Sequence, residues 1–170
     1  MPDNLSRQHV PTTSSERRKY LPIGYVDKDT IITAPNQVIY DAPLYIFAIL
    51  SSRMHCLWLE VVGGKLRTDY RYSSEIIYNT FPIRDLNNNE IDELNKLSLQ
   101  ILDIREKFIQ KTISEIYDPN HMPHSLLETH KRIDSIIEGC YSKKSPKNDD
   151  ERINLLFKEY ETKLNHGKLI

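Results

Sequence analysis

The chain has 170 residues, 28% of them charged and 39% hydrophobic, with a net charge of −1. That length suits one medium domain or two small ones, and the near-neutral charge excludes the global basic footprint of many nucleic-acid binders. Residues 1–85 carry 10 Lys/Arg and 9 Asp/Glu, and residues 86–170 carry 13 and 15, so any contact with nucleic acid must come from local placement.

Residues 1–15 are polar and aperiodic, and read as a tail or as a strand without its partners. Glu16-Arg-Arg-Lys-Tyr20 is a short basic patch. Two β-rich runs follow, Thr30–Thr33 and Gln37–Tyr40, with a Pro35-Asn36 turn between them. Asp41 suits the N-cap of a helix whose first turn tolerates Pro43. Apolar residues from Leu44 to Val62 cover most of that helix, which predicts one helix buried on two sides. Gly63-Gly64 offers a left-handed C′ glycine to end it.

Next comes the densest stretch, Arg67 to Pro82. Arg67, Asp69 and Arg71 occupy alternate positions, so in an extended chain they share one face. Arg can pair with guanine O6 and N7, and Asp can accept from cytosine N4. The same pattern also suits a solvated hairpin laced by cross-strand salt bridges. Seven of the ten tyrosines precede residue 85, including Tyr70 and Tyr72. Arg17, Arg18, Lys19, Arg53, Lys65 and Arg84 are further cations available there for phosphates. Ile76–Pro82 reads as a strand that anchors this loop.

Composition changes after Pro82. Asn87-Asn-Asn89 is a linker, with Asn89 able to cap a long helix that carries Ile91, Leu94, Leu97, Ile101, Ile104, Phe108, Ile113 and Ile116 on one stripe. A second helix starts at Ser125, with His130, Ile133, Ile137 and Cys140 inward. A third follows Asn148, where Glu151 completes a capping-box pattern. The expected fold is α+β: residues 1–85 form short strands with one buried helix, and residues 86–170 form an all-α bundle of about three helices.

No glycine-rich phosphate loop or nucleophile motif is present. His121, His124 and His130 lie close in sequence and could suggest a metal, against the plainer reading of a loop with a core histidine. Cys56 and Cys140 are too far apart for a zinc motif and read as buried free thiols, which suits a reducing, cytoplasmic setting. No apolar run approaches the ~18 residues of a membrane span. The N-terminal residues lack the apolar core of a signal peptide.

Several ordered stretches resemble one family. Ser14–Tyr25 (S-S-E-R-R-K-Y-L-P-I-G-Y), Leu50–Trp58 (L-S-S-R-M-H-C-L-W), Gly64–Ser73 (G-K-L-R-T-D-Y-R-Y-S) and Ile77–Pro82 (I-Y-N-T-F-P) are similar to motifs in the C-terminal part of MmeI-like, type IIL restriction–modification enzymes. So is Ile116–Pro123 (I-Y-D-P-N-H-M-P) with His130 and Asp134. Two positions depart: Lys65 stands where the family has Arg, and Ile83 where it has Trp.

The resemblance implies a sequence-specific reader of double-stranded DNA for an adenine-N6 methyltransferase and restriction enzyme, without a catalytic site of its own. It implies Arg67 and Asp69 as base readers with a preference for a G·C pair. Arg71, Lys65, Arg53 and Tyr72 would be phosphate or supporting residues. Asp69 could instead only orient Arg67. The methyltransferase N-P-P-[YF] motif is absent, so the chain is expected to be a fragment or split subunit. Its partner would be an upstream methyltransferase domain, which would supply S-adenosylmethionine and Mg. Two rival classes stay open: a helical protein–protein module, and a metal hydrolase using His121, His124 and His130.

Overall fold

A computed structural model describes residues 5–27 and 29–167. Two small antiparallel sheets lie in the first half. The first has the order β3 (Gly24–Asp27), β1 (Leu5–Val10), β4 (Gln37–Tyr40), so the supposed tail supplies the central strand. His9 pairs with Gly24 on one side and Val38 on the other. The alternation missed this strand because Gln8 is polar yet buried, its amide donating to the Pro43 carbonyl at 3.1 Å. Thr30–Thr33 forms no strand. The second sheet has the order β2 (Thr13–Ser14), β6 (Asp69–Arg71), β5 (Gly64–Leu66).

The expected single helix from Leu44 to Val62 is two, α1 (Leu44–Leu50) and α2 (Arg53–Val62), bent by 54°. Ser52 causes the break: its side chain caps α2 by accepting from His55 N–H at 3.3 Å, and its hydroxyl donates to the Ile49 carbonyl. Asp41 does not cap α1; it sits at φ 50°, and Pro43 takes the N-cap position. Gly63 is not left-handed but extended, at φ −76°. Glycine is needed there for room, because a Cβ would press on the Leu59 carbonyl and stand 2.9 Å from the Leu59 side chain.

Ile76–Pro82 is not a strand. Ser74–Tyr78 forms one π-helical turn that buries Ile77 completely and leaves Ile76 and Tyr78 exposed. The helical half contains α3 (Asn88–Glu106), the short α4 (Ile113–Ile116), α5 (His124–Tyr141) and α6 (Asp149–Asn165). The long helix expected to Ile116 therefore ends at Glu106, and Thr112 opens α4 with its own capping box to Glu115. Asn87, not Asn89, caps α3 in a reciprocal box with Glu90. Asn148 accepts from Glu151 N–H, but the Glu151 carboxylate accepts from Lys147 N–H rather than closing the box.

One core joins both halves. Phe47, Met54, Leu57, Trp58 and Ile77 pack in the same cluster as Leu94, Leu97, Ile101 and Ile133. Trp58 donates to Thr80 Oγ1 at 3.0 Å and lies against the rings of Phe157 and Tyr160 on α6. No single described helix is long and apolar enough to cross a membrane. Cys56 is buried, whereas Cys140 is only half-buried. Burial pushes both thiols up, to about 12 and about 11.

Polar groups also cross between the halves. Asp134 on α5 accepts from the Tyr20 hydroxyl at 2.7 Å and from Arg53 N–H, at the start of α2, at 2.7 Å. Tyr20 stacks on His130 at 4.3 Å between centroids. His130 Nε2 bonds to the Tyr117 hydroxyl at 2.8 Å, and Tyr117 takes a bond from Arg105. Arg105 also donates to the Ile23 carbonyl at 2.6 Å.

Asp134→Ala strips acceptors from two buried donors, and is expected to cost about 2–4 kcal/mol in urea unfolding. A loss within experimental error would show that the network supports little. Acid should also destabilise the fold. Burial pushes His55 down to about 3; burial and then the Arg105 charge push His130 down to about 3. The unfolded imidazoles take up protons from about pH 6.5 downward while the folded ones stay neutral, so this stability is lost as pH falls. Asp134 opposes this, because burial pushes it up to about 6 and the folded state gains a proton first. Two histidines against one carboxyl leave a net loss of about 1.4 kcal/mol per pH unit between roughly pH 6 and 4. Thermal melts across that range test the sign; a midpoint that rises on acidification contradicts it.

Candidate nucleic-acid interface

The stretch Arg67–Arg71 is a tight hairpin rather than one extended strand. Leu66 pairs with Asp69, Lys65 with Tyr70 and Gly64 with Arg71, which leaves Arg67 and Thr68 as a two-residue turn. Arg67 therefore leaves the alternating row. It sits exposed at the tip, with φ 60°. Asp69 and Arg71 do share one face of β6, as the period-two spacing predicts. Asp69 is half-buried and Arg71 is exposed. Among the described residues no ion pair joins Asp69 to Arg67 or Arg71, so the cross-strand salt bridges of the plainer reading are not formed.

Lys65 lies at the base of the hairpin. Its ammonium stands 3.4 Å from the Glu16 carboxylate and 5.1 Å from the centre of the Tyr70 ring. Such an exposed pair contributes little to stability but fixes where the head group points. Glu16 was not singled out in the sequence, and no local spacing connects it to Lys65, 49 residues on.

Two expected DNA-contacting residues are structural instead. Arg53 is 9% exposed, with its guanidinium 2.6 Å from Glu60 and 2.7 Å from Asp149. Burial opposes its charge, but bonds to Asp149 and Glu60 outweigh that and raise its pKa. With both carboxylates engaged, it is not available to a phosphate. Tyr72 is 3% exposed and its hydroxyl lies 3.0 Å from His55 Nε2. Its backbone N–H donates to the Thr12 carbonyl at 2.8 Å. Tyr72 is thus the post that fixes β6 to the core, with His55 held against Phe81 at 4.7 Å. His55 was missed as a support because a lone histidine on an apolar helix gives no signal of its partner.

The histidine cluster does not assemble. His121 is exposed beside Asp118, His124 is exposed beside Glu128, and His130 is fully buried against Tyr20 and Tyr117. Among the described residues no group of His, Cys, Asp and Glu is placed to hold a metal ion. That removes the metal-hydrolase reading built on these three residues.

The family profile described as "MmeI, target recognition domain" matches residues 2–85, and that described as "MmeI, C-terminal domain" matches residues 85–167. DNA methyltransferase A of Bacillus subtilis (strain 168) is 44% identical over 152 residues, covering 89% of this chain and 17% of that protein. A solved structure of the type IIL restriction–modification enzyme MmeI in complex with DNA superposes with a TM-score of 0.90 at 35% identity, covering 96% of this chain and 22% of that one. The chain thus spans about a fifth of the length of these relatives. It belongs to the MmeI family, of which it carries the target recognition domain followed by the C-terminal domain.

Proposed function

We propose that this chain reads a specific sequence of double-stranded DNA for an adenine-N6 methyltransferase and restriction enzyme. The observation that carries the proposal is the β5–β6 hairpin: a rigidly mounted loop presenting Arg67, Asp69 and Arg71 with no ion-pair partner among the described residues. Uncommitted Arg and Asp heads are the groups that read base edges. A guanidinium donates to guanine O6 and N7, and a carboxylate accepts from cytosine N4. On this reading Arg67 and Asp69 recognise a G·C pair, while Arg71 and Lys65 hold the backbone and fix register.

Catalysis belongs to domains outside this chain. S-adenosylmethionine would supply the methyl group and Mg would serve cleavage in the assembled enzyme, but the residues here do not fit either. The sequence has no glycine-rich loop, and the described residues hold no metal-binding group. The working partners are duplex DNA and a methyltransferase domain of the same or another chain, in the cytoplasm.

Arg67→Ala with Asp69→Ala, made in the assembled methyltransferase, is expected to change or abolish the methylated sequence while leaving the melting temperature near that of the parent. Sequencing of modified adenines gives the answer, and unchanged methylation at the original site refutes the assignment. Arg67→Gly separates the side chain from the turn. A left-handed residue other than glycine costs about 1 kcal/mol, so this variant should melt at or above the parent temperature yet lose the same base preference. A marked drop in stability would show that the arginine holds the turn together.

A further inference from the structure

We propose that the loop Ser15–Lys19, with Lys65, is a strip that binds backbone phosphates of duplex DNA beside the reading hairpin. The proposal rests on the DNA-reading function above and adds where the backbone runs. The loop is held at both ends. Ser14 pairs with Tyr70 in the hairpin's own sheet. At the other end the Lys19 carbonyl accepts from the buried Arg53, at 3.4 Å, and the Tyr20 ring is fixed by Asp134 and His130. Between these anchors the chain turns tightly: Arg18 N–H donates to the Ser15 carbonyl at 3.1 Å and Arg17 N–H to Ser15 Oγ at 3.4 Å.

The strip carries excess positive charge because cations outnumber carboxylates along it. Arg17, Arg18, Lys19 and Lys65 stand against Glu16, the one carboxylate of the loop, which Lys65 holds. Glu60 and Asp149, which border the same cleft as Arg17 and Lys19, are bonded to Arg53. On the far side Glu115 and Asp118, held by bonds within their own turns, keep their charge and share a second cleft with Arg18 and Lys111, one that Arg17 and Lys19 do not line. Arg18 reaches Ser114 Oγ at 2.5 Å and shares that cleft with Lys111. Arg17 and Lys19 remain exposed and make no ion pair among the described residues.

The anchored loop loses little backbone freedom on binding, and each phosphate its cations neutralise releases counterions. They touch no base edge, so they add affinity without sequence preference.

The test is Arg17→Ala with Lys19→Ala in the assembled methyltransferase, using fluorescence anisotropy with its own methylation-site duplex and a shuffled duplex over a salt series. Both side chains are exposed, so the melting temperature should hold. The expected result is affinity weakened by roughly tenfold on both duplexes and a log–log salt slope smaller by about 2. Arg17→Glu with Lys19→Glu should weaken both further. An unchanged affinity and slope, or a loss confined to the methylation-site duplex, overturns the strip. If Arg67→Ala with Asp69→Ala abolishes discrimination while the loop variants bind normally, the strip fails and the reading hairpin stands. If the unaltered protein binds neither duplex, both fail.

Discussion

Asp134 is a carboxylate almost closed off from water, and the two halves of the chain meet on it. Its two oxygens are divided between the Tyr20 hydroxyl from the strand-rich half and the first N–H of α2. A buried carboxylate left unpaired would cost several kcal/mol, so each donor is held as firmly as the carboxylate itself. Through Tyr20 it fixes the end of the Ser15–Lys19 loop, and through Arg53 N–H it fixes the start of α2. The stacked Tyr20–His130 pair and the Tyr117–Arg105–Ile23 connection then fill the space between the halves with further hydrogen-bonded groups, although His130 Nδ1 and Arg105 Nε have no partner among the described residues. Such a network specifies one arrangement of the two halves more sharply than apolar contact alone, because an apolar surface can slide and a hydrogen bond cannot.

That fixed start of α2 governs the hairpin. Within its first turn α2 places Arg53 between Glu60 and Asp149, and His55 under Tyr72. Asp149 lies at the start of α6 and also bonds Arg152, which in turn holds Glu138 on α5 at 2.6 Å. One helix terminus therefore organises both the helical packing and the mount for β6. The hairpin is short and would be marginal by itself. Here Tyr72 ties one of its strands to the core and β2 adds a third strand, so its tip is presented by a rigid base.

Much of this was legible in the sequence, and the failures have physical causes. Apolar spacing found the helical half and placed His130 inward, because a long amphipathic stripe records burial directly. The same reasoning merged α1 with α2, since apolar residues run across the break and only the Ser51-Ser52 pair hints at a cap. The alternation of Arg67, Asp69 and Arg71 suggested one strand. The turn was hidden because no Gly or Asn marks it; an arginine adopts the left-handed angle instead. The family resemblance puts Arg53 and Tyr72 among the phosphate-contacting or supporting residues. What buries them is their partners, Asp149 and His55, 96 and 17 positions away. Sequence spacing carries no record of such pairs.

The near-zero net charge also takes on a different meaning. Composition counts a carboxylate paired with a cation equally with one that has none, although the paired one presents far less net charge to an approaching phosphate. In this chain Glu60, Asp149, Glu115 and Asp118 are drawn into internal bonds, while Arg17, Lys19, Arg67 and Arg71 are left outward around one hairpin. Screening at physiological salt limits the reach of a charge to about 8 Å. What approaches the hairpin therefore feels mainly the charges nearest it, where Arg17, Lys19, Lys65, Arg67 and Arg71 outnumber Glu16 and Asp69. A protein can be neutral overall and still present a locally positive surface, provided its cations and its carboxylates are placed on different parts of the fold.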